Sequence, residues 1–342
     1  MSAPATYTYP SNTVLTKLER ERSIALDKTE FLGGRFMPIT DEDADSVQWE
    51  IRDDVKGLTL RRSPDAPFPL IQDSGFKRYL VQPGYYGERV NLDEQRVMRM
   101  RKVGTFADPL DVTEEVSRVM AELAYREMMT IEYIRWQLMV LGTVSMADKN
   151  GVLQTIATYT PNNVVSGTPW TTTASATPLN DLRVMRDSFV GYGHDFGYRA
   201  VACATSKTWN KMLANTNSGD LFGKRGPGQS NILGIKAFND WIALDENVPT
   251  LVAYDGTYKD SNQVPQRFIP DGYVAVVGYN ASQGHKMGAY CMTRNASLMG
   301  APGVYAEVGI GIEPPKLPWV ARGHNGAPQI DYLKQIVVMK VY

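Results

Sequence analysis

The 342-residue sequence contains only two cysteines and three histidines, which restricts the chemistry that it can support. Two cysteines form at most one disulfide, so a disulfide-stapled scaffold is excluded. A structural zinc site would need nearly all of these cysteines and histidines, and their spacing does not fit one. We therefore expect Cys203 and Cys291 to be reduced, semi-buried thiols, and we expect no metal or other cofactor.

The sequence also lacks an excess of either charge and any long apolar run. Lys and Arg number 36 against 37 Asp and Glu, so the formal net charge is −1. This balance argues against a strongly basic nucleic-acid-binding protein. No window approaches the ~18 uninterrupted apolar residues of a membrane helix. Residues 1–13 carry neither the basic nor the apolar region of a secretory signal, which predicts a protein made in the cytoplasm.

Two short segments approach known ligand-binding motifs and depart from both. Residues 219–225 resemble a phosphate-binding loop, but the two glycines are one position too close and Arg225 replaces the hydroxyl residue that would hold magnesium. Residues 41–45 place acids at the first, third and fifth positions of a calcium loop, but Ser46 and Arg52 stand where Gly and Glu are needed. We interpret the two segments as a surface loop and a solvated acidic turn.

The three histidines do not form a recognisable catalytic arrangement. His194, His285 and His324 lie far apart in the sequence, each in a glycine-containing stretch. Neither a Gly-x-Ser-x-Gly elbow nor a His-x-x-x-His pair accompanies them. We expect polar contacts in loops or at subunit interfaces, and keep as an alternative a soluble α+β enzyme that uses His324 or His194.

Residues 96–102 contain a local cluster of basic side chains. Its members are Arg96, Arg99, Arg101 and Lys102. Acidic residues at positions 93, 94 and 108 flank the cluster, which weakens it as a DNA-binding patch. Contact with carboxylates of a partner or with solvent is the preferred interpretation.

The strongest pattern covers residues 111–142, where apolar residues recur at helical spacing. Asp111 and Glu114 have the spacing of a capping box, Asp108-Pro109 is an alternative start, and Gly142 is the expected end. Charged residues follow one side at intervals of four, namely Glu114, Arg118, Glu122 and Arg126. A helix so much longer than the ~12-residue mean predicts a spine for an extended fold.

Two segments before this helix cannot stabilise themselves. Residues 1–47 are polar and acidic, with a weak amphipathic helix over 12–28 before Gly33-Gly34. Residues 48–90 alternate like a long β-hairpin with a proline-dense tip at 63–69. Because an isolated hairpin is only marginally stable, we expect the body of the chain or neighbouring chains to hold both segments.

The remainder predicts short helices interleaved with strands, hence an α+β fold. Helices are expected at 178–190 and 206–214, the second with Ser206 as its N-cap. Strands are expected at 198–204, 232–238, 250–254, 273–277, 303–313 and 336–342.

Several stretches resemble the tailed-phage major capsid proteins of the lambda type, the major capsid protein E family, which adopt the Hong Kong 97 capsid fold. The first stretch runs from residues 59–62 to residues 81–85, and the second is 106–109, directly before the long helix. The third is 267–278, which contains a Pro-Asp-Gly turn, and the fourth is 321–328, before the terminal strand. The resemblance covers about 48–342, and residues 217–230 have no counterpart in it.

The resemblance implies a division of the chain. Residues 1–47 would be an N-terminal arm and 48–90 an extended β-hairpin loop. Residues 91–180 and 301–342 would form a peripheral domain with the spine helix 111–142, and 181–300 an axial domain. The side chains expected to contact other subunits are Leu15, Leu18, Arg61, Arg62, Phe68, Arg78, Tyr79, Arg99 and Arg101.

The function implied is that of a non-enzymatic major capsid protein of the virion. Its subunits would assemble in the host cytoplasm into hexamers and pentamers of an icosahedral phage head that encloses double-stranded DNA non-specifically. A separate scaffolding protein and a portal would assist, a decoration protein could bind, and no membrane or cofactor is involved. The alternative shell function is a nanocompartment of the encapsulin kind.

Overall fold

The computed structural model describes ten stretches of the chain: residues 11–52, 76–92, 112–147, 153–189, 199–215, 234–242, 248–260, 262–280, 282–311 and 318–342. Five α-helices lie in these stretches: α1 (Asn12–Thr29), α2 (Val112–Leu141), α3 (Pro178–Asp187), α4 (Ser206–Leu213) and α5 (Ile235–Ile242). Short 3₁₀ turns occupy Gly33–Arg35, Ala296–Leu298 and Leu333–Gln335.

The strands begin with β1 (Ile39–Asp41), β2 (Val47–Arg52), β3 (Phe76–Val81), β4 (Gly84–Asn91), β5 (Thr143–Ala147), β6 (Leu153–Thr158), β7 (Asn162–Val165) and β8 (Val201–Ala204). They continue with β9 (Thr250–Ala253), β10 (Thr257–Lys259), β11 (Pro265–Arg267), β12 (Tyr273–Val277), β13 (Gly288–Met292), β14 (Val304–Ile310), β15 (Pro318–Ile330) and β16 (Ile336–Lys340).

The first five-stranded sheet is built around β15. This strand pairs antiparallel with β13, with β14 and with β4, and β1 adds parallel to β13. Glycines allow close approach of the strands here, since a Cβ on Gly323 would lie 2.3 Å from the carbonyl oxygen of Tyr86. The sheet therefore joins residues from the beginning, the middle and the end of the chain.

The second five-stranded sheet has the order β7-β16-β12-β8-β9. Its apolar core strands β8, β12 and β16 are buried along nearly their whole length, as expected for strands covered on both faces. On one face they pack against the long helix α2, and on the other against α3, α4 and α5. Three two-stranded hairpins complete the fold: β2-β3, β5-β6 and β10-β11.

The long helix α2 connects the two sheets. Its C-terminal half, with Met128, Ile131 and Trp136 fully buried, belongs to the larger core between the sheets. Its N-terminal half packs on the first sheet, where Val119 and Leu123 meet Val320. The predicted spine helix is thus confirmed at Val112–Leu141, whereas both proposed starts, Asp108-Pro109 and Asp111, lie outside the described residues.

Most of the predicted elements are confirmed, and two details are wrong. Residues 232–238 were expected to be a strand, but α5 covers Ile235–Ile242, because Phe238 and Ile242 share a helical face that packs into the core. The N-cap of α4 is Thr205 instead of Ser206, since the Thr205 hydroxyl accepts a hydrogen bond from the backbone N–H of Thr208.

The sheets cut across the predicted domain limits. β13 was assigned to the axial domain but pairs with β15, and the terminal strand β16 was assigned to the peripheral domain but pairs with β12. β4 was placed in the extended loop but pairs with β15 over eight residues of the first sheet. In the first segment, α1 and β1 pack on the body of the same chain.

Cys203 and Cys291 are both free, as expected, but buried at 0% and 2% exposure instead of semi-buried. Across the described stretches, no helix is long and apolar enough to cross a membrane.

Candidate functional site

The buried face of α1 is polar, and it contacts two clusters of buried charged side chains in the body. Glu19, Ser23 and Asp27 lie at intervals of four and face the body, with exposures of 3%, 0% and 7%. The apolar side chains of Val14 and Leu18, on another side of the helix, are about half exposed. This distribution is the reverse of an ordinary surface helix, whose apolar stripe faces the core.

Glu19 and Ser23 meet the Arg322 cluster, which we define as Glu19, Ser23, Glu127, Arg322 and His324. Arg322 Nη1 lies 2.6 Å from Glu19 Oε2, and Arg322 Nε lies 2.5 Å from Glu127 Oε2. His324 Nδ1 lies 2.6 Å from Glu127 Oε1. One guanidinium from β15 therefore joins a carboxylate of α1 to a carboxylate of α2.

Aromatic rings close the inner side of this cluster. His324 Nε2 lies 2.9 Å from the hydroxyl of Tyr290, and the imidazole stacks on Tyr86 at 5.1 Å. Burial raises the pKa of both tyrosines above the usual range, so both hydroxyls stay protonated and neutral. Since His324 is fully buried among these groups, its imidazole has no face open to a substrate.

The two carboxyls of the cluster respond differently to burial. Burial raises the pKa of Glu19 above its usual range, although Arg322 and Arg22 oppose this effect. Burial acts on Glu127 in the same direction, but the charges of His324 and Arg322 outweigh it and hold the pKa of Glu127 below its usual range. Glu127 is consequently the fixed anion, and Glu19 is the carboxylate that is easier to protonate.

Asp27 meets a second group, the Arg135 cluster, which consists of Asp27, Glu132 and Arg135. Two nitrogens of Arg135 lie 2.5 and 3.1 Å from the two oxygens of Asp27, and the guanidinium also lies 3.5 Å from Glu132. The Glu132 carboxylate accepts further hydrogen bonds from Gly33 N at 2.8 Å, Trp136 Nε1 at 2.7 Å and the Tyr254 hydroxyl at 2.8 Å. This cluster thereby ties the end of α1 to α2 and to the second sheet.

The hairpin β2-β3 forms a separate surface. Its root rests on the first sheet through Val47, with Trp49 and Val81 packed against Ala289, Cys291 and Ala327. The Trp49 and Tyr79 rings stack at 5.4 Å. Within the described residues, these two strands pair only with each other, and the charged and apolar side chains of β3 at positions 77, 78 and 80 are exposed.

The predicted contact residues fall into three groups. Leu18 is 53% exposed, whereas Leu15 is partly buried against the core under α2. Arg78 is exposed and pairs with Glu50 across the hairpin at 2.6 Å, while Tyr79 stacks on Trp49. Arg61, Arg62, Phe68, Arg99 and Arg101 lie outside the described residues, as do His194 and the segment 219–225.

Several polar patterns of the sequence acquire partners in the structure. In the acidic turn 41–45, Asp43 and Asp45 face Arg294, and Asp41 pairs with Arg20. His285 Nε2 lies 2.6 Å from the carbonyl oxygen of Arg199. Among the described residues, no group of three or more His, Cys, Asp or Glu side chains could hold a metal ion.

The charge ladder on α2 is only partly as expected. Arg118 pairs with Glu122 and with Glu115, but Arg126 pairs with Glu88 of β4 at 2.6 Å instead of with Glu122. The outer side of α2 is therefore tied to the first sheet.

Sequence reasoning missed the two buried clusters. The spacing of four between Glu19, Ser23 and Asp27 is the sequence signal that could have identified the buried polar face of α1. Their partners carry no such signal, since Arg322 lies 303 positions from Glu19 and Arg135 lies 108 positions from Asp27.

The sequence matches a known protein family. The sequence profile of the family described as phage major capsid protein E matches residues 17–307. A comparison with curated protein sequences found no match.

Three solved structures share the fold at low sequence identity. A protein of an E. coli CFT073 prophage, described as its capsid protein, is 12% identical, with a TM-score of 0.62 over 98% of this chain and 100% of that one. A phage-related protein of Bordetella bronchiseptica RB50 is 9% identical, with a TM-score of 0.55 over 95% and 96%. The capsid of the myovirus XM1 gives 10% identity and a TM-score of 0.52 over 91% of each chain. The architecture is thus the Hong Kong 97 capsid fold.

Proposed function

Because the chain belongs to the phage major capsid protein E family and is a capsid shell protein, we propose that it forms the hexamers and pentamers of an icosahedral phage head. In this proposal the head encloses double-stranded DNA non-specifically, within a virion that assembles in the host cytoplasm. A separate scaffolding protein and a portal take part, and a decoration protein is an optional partner. The subunit contributes contacts with its neighbours and no catalysis.

The observation that carries this proposal is the exposed hairpin β2-β3. A two-stranded ribbon is marginally stable in water, and the apolar contacts that join the described part of this one to the body lie at its root, at Val47, Trp49 and Val81. Leu80 on the ribbon is 57% exposed, although it is apolar. A neighbouring subunit that covers the ribbon would bury Leu80 and supply the missing support.

We assign the parts of the chain to the shell as follows. The segment that contains α1 serves as the arm, and the hairpin β2-β3 serves as the extended loop. The first sheet belongs to the peripheral domain and the second sheet to the axial domain, and α2 connects the two. The peripheral domain includes β4, β13, β14 and β15, and the axial domain includes β8, β12 and β16. Leu18, Arg78 and Tyr79 are contact residues, and the same role is proposed for Leu15, Arg61, Arg62, Phe68, Arg99 and Arg101.

Electron microscopy and sedimentation of the purified full chain test the proposal. We expect large multi-subunit particles for the natural chain and for Leu80→Met, which keeps an apolar side chain on the ribbon. We expect Leu80→Asp to leave folded subunits that sediment as small species, because a carboxylate cannot be buried unpaired at a contact. Particles that assemble equally well with Leu80→Asp would contradict the role of the hairpin.

The contents of particles isolated from phage-producing cells test the enclosed DNA. A phage head retains nuclease-protected double-stranded DNA, whereas a nanocompartment contains a cargo enzyme and no packaged genome. Recovery of one cargo protein in place of DNA would overturn the phage-head assignment while leaving the shell intact.

A further inference from the structure

The two buried arginines of the body each have two carboxylate partners, one from α1 and one from α2. Arg322 is held by Glu19 of α1 and Glu127 of α2. Arg135 is held by Asp27 of α1 and Glu132 of α2. If α1 is removed, each cluster therefore still contains one arginine paired with one carboxylate of the body.

This duplication changes the cost of removing α1. Separating one partner from a buried ion pair ordinarily costs several kcal/mol, because a charge is left buried and unpaired. Here the departure of α1 carries Glu19 and Asp27 into water and leaves Arg322 with Glu127 and Arg135 with Glu132. No arginine of either cluster loses its last carboxylate.

The docked helix also brings like charges together. Glu19 and Glu127 share one guanidinium and repel each other. Burial is the main cause of the raised pKa of Glu19, and the charge of Glu127 acts in the same direction. Asp27 and Glu132 share Arg135 in the same manner. Repulsion within each cluster therefore offsets part of the attraction that holds α1.

Apolar contacts add little to the docking of α1. Leu15 and Leu26 are its partly buried apolar side chains that contact the cores, while Val14, Leu18 and Ile24 are 40 to 53% exposed. The chain after the helix is anchored independently: Gly33 N bonds to Glu132, and Phe36 and Met37 are fully buried. Phe31 is buried in the larger core and Leu32 packs against it, so the exposed Glu30 lies between the weakly held helix and the firmly held chain that follows.

From these observations we infer that α1 is a detachable element, which leaves the Arg322 and Arg135 clusters as a unit while both sheets and α2 stay folded. The opening turns about Glu30, the residue that follows α1, and exposes the two arginines, each still paired with its α2 carboxylate. The inference concerns a single subunit and does not depend on shell assembly.

Amide hydrogen exchange of the full unassembled chain, followed by mass spectrometry, tests the inference. We expect amides of α1 to exchange at least about tenfold faster than those of β12 and β16, because an independent opening needs less free energy than global unfolding. Peptides from β1 should remain protected with the sheets. Exchange of α1 at the rate of β12 and β16 would overturn the inference.

A variant addresses the shared arginine directly. Glu127→Gln removes the competing anion, so that Arg322 pairs with Glu19 alone; exchange of α1 should then slow by about threefold or more. Glu88→Gln, which neutralises the exposed partner of Arg126 on the same face of the fold, should leave α1 unchanged. Equal or faster exchange of α1 in a folded Glu127→Gln chain would contradict the shared-arginine mechanism, and if that variant does not fold, the natural chain alone decides.

Discussion

Arg322 Nη1 and Glu19 Oε2 lie 2.6 Å apart although 303 positions separate the two residues in the sequence. Arg322 is 2% exposed and Glu19 is 3% exposed, so this contact between the central strand β15 and the first helix is shielded from bulk solvent. Desolvation offsets much of the attraction within a buried ion pair, but removal of one partner leaves the other charge buried and uncompensated.

Replacing Arg322 should therefore be severe. In Arg322→Met, Glu19 and Glu127 face each other with no guanidinium between them, and we expect the free energy of unfolding to fall by about 3–5 kcal/mol. Urea denaturation followed by circular dichroism measures this loss.

The matched control is Arg126→Met, which removes an arginine that also bonds two carboxylate oxygens, in this case both from Glu88 and on the surface. Solvent screens this exposed pair, so the loss should not exceed about 1 kcal/mol. A similar loss in the two variants would show that burial does not determine the importance of Arg322.

The pH dependence of stability should separate the two glutamates of the cluster. The lowered pKa of Glu127 means that its contribution is complete above the unfolded value of about 4.3 and is lost as the pH falls through the lower folded value. The raised pKa of Glu19 has the opposite sign: ionised Glu19 disfavours the folded state, and stability recovers as the pH falls toward about 4.3.

Urea midpoints of the natural chain, Glu127→Gln and Glu19→Gln between pH 7 and pH 3 measure these contributions. The advantage of the natural chain over Glu127→Gln should shrink in the acid part of this range, below about pH 4.3. Relative to Glu19→Gln, the natural chain should gain stability as the pH is lowered toward about 4.3. Parallel curves for all three proteins would refute both assignments.

Local periodicity was sufficient to predict much of the fold, and long-range pairing was not predictable. The helix Val112–Leu141 and the terminal strand Ile336–Lys340 follow from spacing and apolar runs within a few residues. That β13 joins β15 while β16 joins β12 depends on contacts between distant segments, which no local pattern encodes. The Arg322 cluster could not be predicted for the same reason, because its members come from α1, α2 and β15.

The strand expected at 232–238 illustrates the ambiguity of short apolar runs. Ile235 and Phe238 fit an alternating strand poorly and a helix well, but seven residues do not separate the two periods. Packing of Phe238 and Ile242 against the second sheet selects the helix.

Both thiols should be inert in the folded protein. Burial raises the pKa of Cys203 to about 12, and burial likewise raises the pKa of Cys291. Because only the thiolate is an effective nucleophile, iodoacetamide at pH 8 should modify neither residue in the native chain and both in guanidinium chloride. Mass spectrometry counts the adducts, and rapid native labelling of Cys203 would contradict the placement of β8 in the core.

The turn Pro270-Asp271-Gly272 should tolerate no side chain at its last position. Gly272 has φ +83°, and an added Cβ would lie 2.8 Å from the backbone oxygen of Tyr342, two residues beyond β16. Gly284 has a similar φ of +68° but open space around its Cα, so it isolates the cost of the backbone conformation. We expect Gly284→Ala to lower the free energy of unfolding by about 1 kcal/mol and Gly272→Ala by clearly more, about 2–3 kcal/mol, because the steric clash adds to the strain. Equal losses measured by urea denaturation would mean that the terminal residues yield to the new methyl group and that the close approach of Gly272 to Tyr342 contributes nothing to stability.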